Sequence, residues 1–358
     1  MDNTFEVDEK IKDTLEKVKP LCPVFGECGG CVYQDIRYAD ELHIKEETIK
    51  SHFKQELGLV DNVFSPIVPS PKEYFYRHRL DISFRKTMAG QYLLGFKPPK
   101  RKRTVEVESC VIGREEISDF IPQLKEDAIK GLPENYRVAN LVVKTGDDKR
   151  VVWGGMGRRS LQMDPKEYLY TEIHGKRIYY SLDTFFQANL EILPDLMNMI
   201  KKLDLFDQGS VFFDLYSGVG LFGFYFADQV EAVALVEESA TSNRVARYNL
   251  EAHKLKGKVD IRQEKVETAL PLLLEKFKDK KKVALIDPPR KGLTDETIKT
   301  LIDSKDLNAI LYLSCGPKSL ARDLKKFQDQ GWQVEKIIPF DFFPKTIHVE
   351  TLAVLKVN

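Results

Sequence analysis

The second half of the chain alternates continuous apolar runs with amphipathic segments. Seven apolar runs of strand length follow residue 181, and helical patterns lie between most of them. The runs cover 211–217, 232–237, 258–263, 282–287, 309–315, 332–340 and 348–357. Strands without polar alternation are buried on both faces, which is typical of a parallel sheet with crossover helices. The pattern therefore predicts an α/β fold for this half of the chain.

Between residues 76 and 180 the pattern changes to short runs in which polar and apolar residues alternate. Turns that contain Gly or Asp separate several of these runs, which cover 80–84, 92–96, 104–108, 140–144, 150–153 and 177–180. A period of two is typical of strands with one solvated face. This region is therefore predicted to form an antiparallel sheet, interrupted by one helix near 114–130.

The amino-terminal region is more polar. Residues 5–19 have the pattern of a charged helix, and residues 21–34 are rich in Cys and Gly. Residues 38–58 read as an amphipathic helix, because Leu42, Ile49 and Phe53 recur at helical spacing. We expect three units: a helical extension at 1–20, a central α+β domain at 21–180 and a catalytic domain at 181–358. Packing of the segment 33–62 on the last of these is the alternative to packing on the cysteine region.

Charge is unevenly placed along a chain of 358 residues whose net charge is zero. Residues 1–62 contain 8 Lys and Arg against 14 Asp and Glu, whereas residues 70–110 contain 10 against 4. Basic residues interleaved with aromatic ones suit a phosphate-rich partner.

No stretch has the length of a membrane span, and the first residues do not begin a signal peptide. A cytoplasmic protein without membrane association or an obligate protein partner is expected.

A strand, a glycine turn and a helix follow one another over residues 211–223. Gly218, Gly220 and Gly223 satisfy G-x-G-x-x-G, and Glu237 at the end of the next strand can bind ribose hydroxyls. The pattern fits NAD, FAD or S-adenosylmethionine. Asp214 in the first strand and the Asp-Pro-Pro-Arg run at 287–290 favour S-adenosylmethionine.

Cys315 lies at the carboxyl end of an apolar run and ahead of a helical pattern that spans 318–328. Open α/β sheets hold their ligands at this edge. A helix N-terminus facing a thiol can lower its pKa. Taken alone, Cys315 is better explained as a small buried residue at a strand end.

Four segments change that balance: Phe185-Phe186-Gln187-Ala188-Asn189, Asp287-Pro288-Pro289-Arg290, Ser314-Cys315-Gly316-Pro317 and His348-Val349-Glu350. Together they resemble the RNA uracil-C5 methyltransferases, the family that makes 5-methyluridine in tRNA and 23S rRNA. The resemblance covers nearly the whole chain from Cys22 onward. It implies a Rossmann-like, S-adenosylmethionine-dependent catalytic domain, with Cys315 as the nucleophile and Glu350 as the base.

The same resemblance implies which residues bind the cofactor: Gln187, Tyr216, Gly218, Leu221, Glu237 and Asp287. Arg290 becomes a candidate substrate contact. Two positions depart from the family pattern. Gly316 stands where the family usually has Asn, and Leu221 stands where many members have Asn, so a contact at Leu221 has to come from its main chain.

The four remaining cysteines have the spacing C-x5-C-x2-C plus a distant fourth, namely Cys22, Cys28, Cys31 and Cys110. Three close thiols and a fourth suit a tetrathiolate metal site. Zinc accepts four thiolates, but the spacing is not a usual pair of zinc-ribbon motifs. It matches the 4Fe-4S site of many of these methyltransferases, with a structural or RNA-binding role, and zinc is the alternative occupant.

The length of the segment before Cys22, together with the cysteine cluster, predicts the RNA substrate. Only 21 residues precede Cys22, too few for the TRAM domain that several family members carry. A cysteine cluster without TRAM implies 23S rRNA, with tRNA as the alternative. The target base is expected to be flipped out of a loop. The candidate RNA contacts are Tyr76, Arg77, Arg79, Lys100, Arg101 and Arg290.

Three other functions remain open at this point. A methyltransferase for cytosine C5 or an amino nitrogen is disfavoured, because amino methylation usually uses an N-P-P-Y motif and needs no cysteine. A dinucleotide-dependent oxidoreductase with an iron-sulfur cluster would suit the glycine motif. A non-catalytic RNA-binding protein would suit the basic residues alone.

Overall fold

A computed structural model describes residues 14–98, 103–133, 136–156, 161–304 and 307–357. Of the helix predicted over 5–19, only residues from 14 onward are described, and these are not helical. Lys17 instead forms an isolated antiparallel bridge with Ile36, and Val18 N donates to Asp35 O at 3.0 Å. The helix prediction is therefore wrong for 14–19, because a long-range backbone pairing overrides a local charge pattern.

Helix α1 (Tyr38–Leu57) agrees with the helix predicted over 38–58. It ends at Gly58, whose positive φ of 66° allows its N–H to bond Lys54 O at 2.9 Å. Ile49, Phe53 and Leu57 are buried in the core that covers one face of the carboxyl-terminal sheet. Through these three residues, helix α1 packs on the carboxyl-terminal half of the chain.

The central region is a five-stranded antiparallel sheet in the order β3-β2-β1-β4-β5. Its strands are β1 (Arg79–Lys86), β2 (Tyr92–Phe96), β3 (Val105–Glu106), β4 (Val138–Thr145) and β5 (Val151–Gly155). Helix α2 (Glu115–Gly131) packs across one face through Ile117, Ile121 and Leu124. A separate hairpin follows, formed by β6 (Leu169–Ile173) and β7 (Lys176–Tyr180). Apart from β6, each strand overlaps a predicted run.

The carboxyl-terminal half is a seven-stranded sheet whose strands lie at or near the predicted runs. They are β8 (Val211–Leu215), β9 (Ala232–Val236), β10 (Val259–Arg262), β11 (Lys282–Ile286), β12 (Leu307–Ser314), β13 (Trp332–Phe340) and β14 (Glu350–Val357). Its order is β10-β9-β8-β11-β12-β14-β13, and β14 is antiparallel to both of its neighbours. The other pairings between neighbours are parallel.

Helices cover both faces of this sheet: α3 (Leu193–Lys202), α4 (Leu221–Phe226), α5 (Ala240–Ala252), α6 (Val266–Lys276), α7 (Asp295–Asp303) and α8 (Pro317–Gln328). Successive residues of a strand point to opposite faces, so Phe212 and Phe213 of β8 enter two different cores. This two-sided burial explains the continuous apolar runs. No helix in the described ranges is long and apolar enough to cross a membrane.

Candidate active site

One cavity of about 1040 Å³ lies at the carboxyl edge of the seven-stranded sheet, facing β1 of the central sheet. Parallel strands end at the same edge, so residues that follow β8, β9, β11 and β12 converge there. Cys315 and Glu350 both line this cavity. So do the predicted cofactor-binding residues, which are Gln187, Tyr216, Gly218, Leu221, Glu237 and Asp287. The structure therefore brings together residues that are up to 163 positions apart in the chain (350 − 187).

The turn after β8 depends on two glycines. Gly220 has a φ of 86°, and a Cβ there would lie 2.3 Å from a ring atom of Phe224. A Cβ at Gly223 would lie 2.2 Å from the side chain of Leu235 in β9. Larger residues would push α4 away from the sheet. The carboxylate of Asp214 accepts the Gly223 N–H at 2.8 Å and fixes the start of this helix.

Glu237 ties the glycine turn to the end of β9. One carboxylate oxygen accepts the N–H of Gly218 at 3.0 Å, and the other accepts the N–H of Ser239 at 2.7 Å. Each oxygen keeps a second lone pair that can accept a hydroxyl from a ligand. A Cβ at Gly218 would meet no atom within 4 Å, so space is open beside this carboxylate.

Gln187 and Asp287 form a direct pair across the cavity. The Gln187 amide donates to the Asp287 carboxylate at 2.7 Å. Burial raises the pKa of Asp287 to about 7, and the Gln187 hydrogen bond opposes this shift. The loop that carries Gln187 is held by β4, because Lys144 donates to the carbonyl of Ser181 at 2.9 Å.

Cys315 lies between two acidic groups and one basic group. Burial raises the pKa of the Cys315 thiol to about 12, and the charges of Glu350 and Asp287 add to the effect. Arg290 lowers the same pKa through its charge and a hydrogen bond to the thiol. Burial, with a further contribution from Asp287, also raises the pKa of Glu350 well above its ordinary value, whereas Arg290 lowers it. At neutral pH Cys315 is therefore a thiol, and its ionisation is opposed by burial and by the neighbouring acidic groups.

A short network of hydrogen bonds fixes the chain around Cys315. Gly316 N donates to the Ser314 hydroxyl at 3.1 Å. The hydroxyl of Ser319 lies 2.9 Å from the carbonyl oxygens of both Gly316 and Arg290, and its one proton can be donated to either. The Ser319 hydroxyl thus links the main chain of Arg290 to the main chain of Gly316, the position where the family usually has Asn.

The predicted RNA contacts divide into three groups. Arg77, Arg79 and Arg290 line the cavity. Tyr76 is fully buried, and its hydroxyl donates to Pro344 O at 2.9 Å. An RNA contact at Tyr76 does not fit this structure, because the residue closes a contact within the protein. Lys100 and Arg101 lie outside the described residues.

Phe185 begins one of the four motif segments but was assigned no role from the sequence, yet it lines the cavity and is 66% exposed. Its neighbour Phe186 is buried and stacks on Tyr180 with ring centroids 4.3 Å apart. Composition cannot distinguish two adjacent phenylalanines, so only the structure identifies the accessible one. An exposed aromatic ring that lines the cavity offers a stacking surface for a base.

A second cavity, of about 460 Å³, is lined by all four of the remaining cysteines, Cys22, Cys28, Cys31 and Cys110. Their thiols are free, without disulfide bonds. Burial raises the pKa of Cys31 to about 12, and the three other thiols add to the shift. In the part of the chain that the structure describes, no three His, Cys, Asp or Glu side chains are gathered as a metal site. The thiols thus share a cavity without closing on one point.

Replacement of Asp214 by asparagine is expected to reduce the loss of stability that occurs as pH rises from about 4 to about 8. Burial raises the pKa of Asp214 to about 8, so the folded protein holds a proton that the unfolded chain releases near pH 4. The free energy of unfolding then falls as pH rises from about 4 to about 8, by up to about 1.4 kcal/mol per pH unit. Asparagine keeps an acceptor for Gly223 and does not titrate.

The measurement is the thermal unfolding midpoint of both proteins across this pH range. Asp204→Asn, which changes an exposed aspartate, is the matched control and should retain the wild-type pH dependence. Equal pH slopes for wild type and Asp214→Asn would show that Asp214 is ionised in the folded protein.

Comparison with known proteins gives one consistent family. A family model described as tRNA (Uracil-5-)-methyltransferase matches residues 154–358. An uncharacterized RNA methyltransferase of Aquifex aeolicus is 27% identical over 371 residues, 95% of this chain and 84% of its own. The 23S rRNA (uracil(747)-C(5))-methyltransferase of Pyrococcus abyssi is 28% identical over 390 residues, with coverage of 97% and 88%.

A solved structure extends the likeness to the fold. It is the tRNA (uracil-54, C5)-methyltransferase of Pyrococcus abyssi in complex with S-adenosyl-L-homocysteine. The TM-score is 0.70 at 23% identity, and the match covers 93% of this chain and 86% of the other. The predicted α/β methyltransferase fold, preceded by an antiparallel sheet, is confirmed.

Proposed function

The chain belongs to the tRNA (uracil-5-)-methyltransferase family and methylates uracil C5 in RNA with S-adenosylmethionine, and we propose that its substrate is 23S rRNA. The 28% identity to the 23S rRNA enzyme of Pyrococcus abyssi, over 97% of this chain, supports the proposal. A tRNA is the second candidate, because the enzyme with the similar solved fold acts on tRNA. Membership of the family excludes the oxidoreductase and the non-catalytic RNA-binding protein.

The observation that carries the mechanism is the presence of Cys315 and Glu350 in one cavity. Uracil C5 is a weak nucleophile, so it has to be activated before it can accept a methyl group. Addition of the Cys315 thiolate at C6 forms an S–C6 bond and moves the electron pair of the C5–C6 double bond to C5. C5 then forms the new bond to the methyl carbon while the methyl–sulfonium bond breaks, and that electron pair stays on the sulfur of the product S-adenosylhomocysteine.

The second half of the reaction restores the double bond. In this proposal the Glu350 carboxylate takes the proton from C5, the electron pair returns to the C5–C6 bond, and the S–C6 bond breaks. The free thiolate of Cys315 and 5-methyluridine result. The raised pKa of Glu350 supports this role, because a carboxylate in an apolar setting is a stronger base than one in water.

The cofactor site is proposed at Gln187, Tyr216, Gly218, Leu221, Glu237 and Asp287. When bound, S-adenosylmethionine supplies an electrophilic methyl group on a cationic sulfonium. The residues fit such a ligand, because Glu237 has open space beside it and Asp287 lies in the same cavity. Leu221 is 4% exposed, so any contact from this position comes from its main chain.

Cys315 needs a neighbouring positive charge to ionise, because burial raises its pKa to about 12. Arg290 hydrogen-bonds the thiol and favours the thiolate.

We place Phe185 against the flipped uracil, where its exposed ring can stack on the base. Arg77 and Arg79, which line the same cavity, are proposed to hold the flanking phosphates.

We propose a 4Fe-4S cluster at the four cysteines that share the second cavity. A single zinc ion needs four sulfurs at about 2.3 Å from one point, whereas a cluster distributes them over separate irons. A cavity of about 460 Å³ lined by all four thiols suits the larger group. The methyl transfer is redox-neutral, so the cluster is assigned a structural or RNA-binding role. The central domain that would hold the cluster is proposed to span residues 21–180.

Protein purified without air is expected to contain about four iron and four acid-labile sulfide per chain. Cys110→Ser should lose both, because it removes one of four ligands. Cys315→Ala is the matched control and should retain both, since its thiol lines the other cavity. Stoichiometric zinc without sulfide would overturn the cluster in favour of a single ion.

The substrate is tested with labelled S-adenosylmethionine and unmodified transcripts of 23S rRNA and tRNA, followed by nucleoside analysis and site mapping. The proposal predicts 5-methyluridine at a mapped uridine of 23S rRNA. Label in the tRNA alone would overturn the rRNA assignment and leave the chemistry intact. Label in 5-methylcytidine would overturn both.

A further inference from the structure

The connection between β13 and β14 meets three other parts of the molecule. It runs from Asp341 to Val349 and leads directly into Glu350. Helix α1, the cysteine-rich loop and the segment before β1 all bond to it. The functions assigned so far do not account for these contacts.

A buried charge network fixes the connection to α1. Lys345, Lys45, Glu41 and Asp341 are each at most 2% exposed. Lys45 Nζ donates to Glu41 at 2.7 Å and to Asp341 at 2.8 Å. Glu41 also accepts the main-chain N–H of Lys345 at 2.6 Å, and its second oxygen lies 3.4 Å from Lys345 Nζ. Buried charges that are paired in this way allow few alternative geometries.

Lys345 has a backbone conformation that only strong contacts maintain. Its φ is 66°, a region that long side chains rarely adopt. Its ammonium group lies 2.9 Å from Glu73 and 4.9 Å from the ring centre of Tyr38. The network holds this residue by both its main chain and its side chain.

The carbonyl of Lys345 is the contact with the cysteine-rich loop. It accepts the N–H of Val32 at 2.8 Å and that of Tyr33 at 3.2 Å. These residues directly follow Cys31. The preceding carbonyl, Pro344 O, accepts the hydroxyl of Tyr76 at 2.9 Å. Two successive carbonyls of the connection are thus bonded to the amino-terminal and central regions.

The other side of the connection faces the active site. Phe343 lines the large cavity, and the guanidinium carbon of Arg77 lies 5.6 Å from its ring centre. The Phe343 ring also contacts His348 edge-on at 5.7 Å. Glu350 follows two residues after His348. A shift of the turn at Lys345 therefore moves a wall of the cavity and the residue assigned as base.

We propose that Lys345 is a positioning residue, through which α1 and the loop after Cys31 hold Phe343 and Glu350 in place for proton abstraction. The role rests on the proposed function, in which Glu350 removes the C5 proton. A base displaced by about 1 Å can lower the rate about 100-fold. The cofactor residues lie on other strands, so their geometry does not depend on this turn.

The test compares Lys345→Met with wild type by amide hydrogen exchange and by single-turnover methylation. Exchange at Val32 and Tyr33 is expected to be at least about tenfold faster in the variant, because the carbonyl that they bond loses its anchor. Proton abstraction is expected to be about 100-fold slower, so the covalent enzyme–RNA adduct accumulates. The KM for RNA and the affinity for S-adenosylhomocysteine should not change.

Lys356→Met is the matched control. It removes a lysine of β14 whose partner Glu335 lies 2.8 Å away in an exposed pair, and it should match wild type in every readout. Unchanged exchange at Val32 and Tyr33 would overturn the coupling. A fall in kcat, RNA affinity and cofactor affinity together would show a merely structural role.

Tyr76→Phe, which removes only the bond to Pro344 O, is measured in the same way if Lys345→Met does not fold. It should give smaller changes in the same direction, and no change in either exchange or adduct would overturn the proposal. The hydrogen-exchange and methylation measurements also distinguish failure of this proposal from failure of the proposed function. A wild type that forms no 5-methyluridine refutes the proposed function, whereas the exchange arm still decides whether Lys345 couples the loop to the active site.

Discussion

Cys315→Ala is expected to lower methyl transfer by at least about 10⁴-fold, because Cys315 supplies the one thiol among the described residues that line the cavity. The variant should still bind RNA to within about threefold of wild type. Backbone phosphates supply most of the affinity for nucleic acids, and the basic residues of the cavity are unchanged. The measurements are single-turnover transfer from labelled S-adenosylmethionine and RNA binding at fixed salt concentration.

Cys315→Ser is the conservative companion and should be equally inactive, since a hydroxyl in this setting is a far weaker nucleophile than a thiolate. The unfolding midpoint of both variants should stay close to that of wild type. Substantial methylation by the alanine variant would place the nucleophile elsewhere. Loss of RNA binding together with activity would point to a folding defect.

Glu350→Gln is expected to slow turnover by about 10³-fold and to trap the enzyme on its RNA. The amide has the shape of the carboxylic acid but cannot take the C5 proton, so the S–C6 bond formed by Cys315 persists after methyl transfer. A band of enzyme joined to RNA should therefore survive denaturing electrophoresis. The band should contain the transferred methyl group, because the block follows methylation.

The Glu350→Gln substitution is also expected to change how the stability of the protein depends on pH. Burial raises the pKa of Glu350, so wild type loses stability as pH rises above the ordinary range of a glutamate, and the glutamine variant lacks this loss. Glu335→Gln, on the neighbouring strand in an exposed ion pair with Lys356, should resemble wild type in turnover and adduct. Normal turnover without an adduct in Glu350→Gln would assign the base to another residue.

The seven-stranded sheet, and the edge at which the residues after its parallel strands meet, could be predicted because the strands leave a local signal. Strands such as β8 and β11 are apolar on both faces, and this burial shows directly in the sequence. Residues that follow parallel strands then have to meet at one edge. Gln187 and Glu350 precede and follow the parallel strands, so their place in the cavity came from the motif resemblance alone.

The errors arose where contacts between distant segments decide the structure. The predicted buried face of α1 contained Leu42, but the fully buried positions include Glu41 and Lys45. Hydrophobic periodicity cannot identify charged residues such as Lys45, which is buried because a partner 296 residues away neutralises it. Tyr76 was misread for the same reason, since its partner Pro344 has no local signature.

The most direct test of Cys315 as the nucleophile uses RNA that carries 5-fluorouridine at the target position. Fluorine cannot leave C5 as a proton, so the enzyme should stop after methyl transfer with Cys315 bonded to C6. Digestion and mass analysis are predicted to find the methylated fluorouridine adduct on the peptide that contains Cys315, and no adduct with Cys315→Ala. An adduct on another residue, or equal trapping of the alanine variant, would contradict the account.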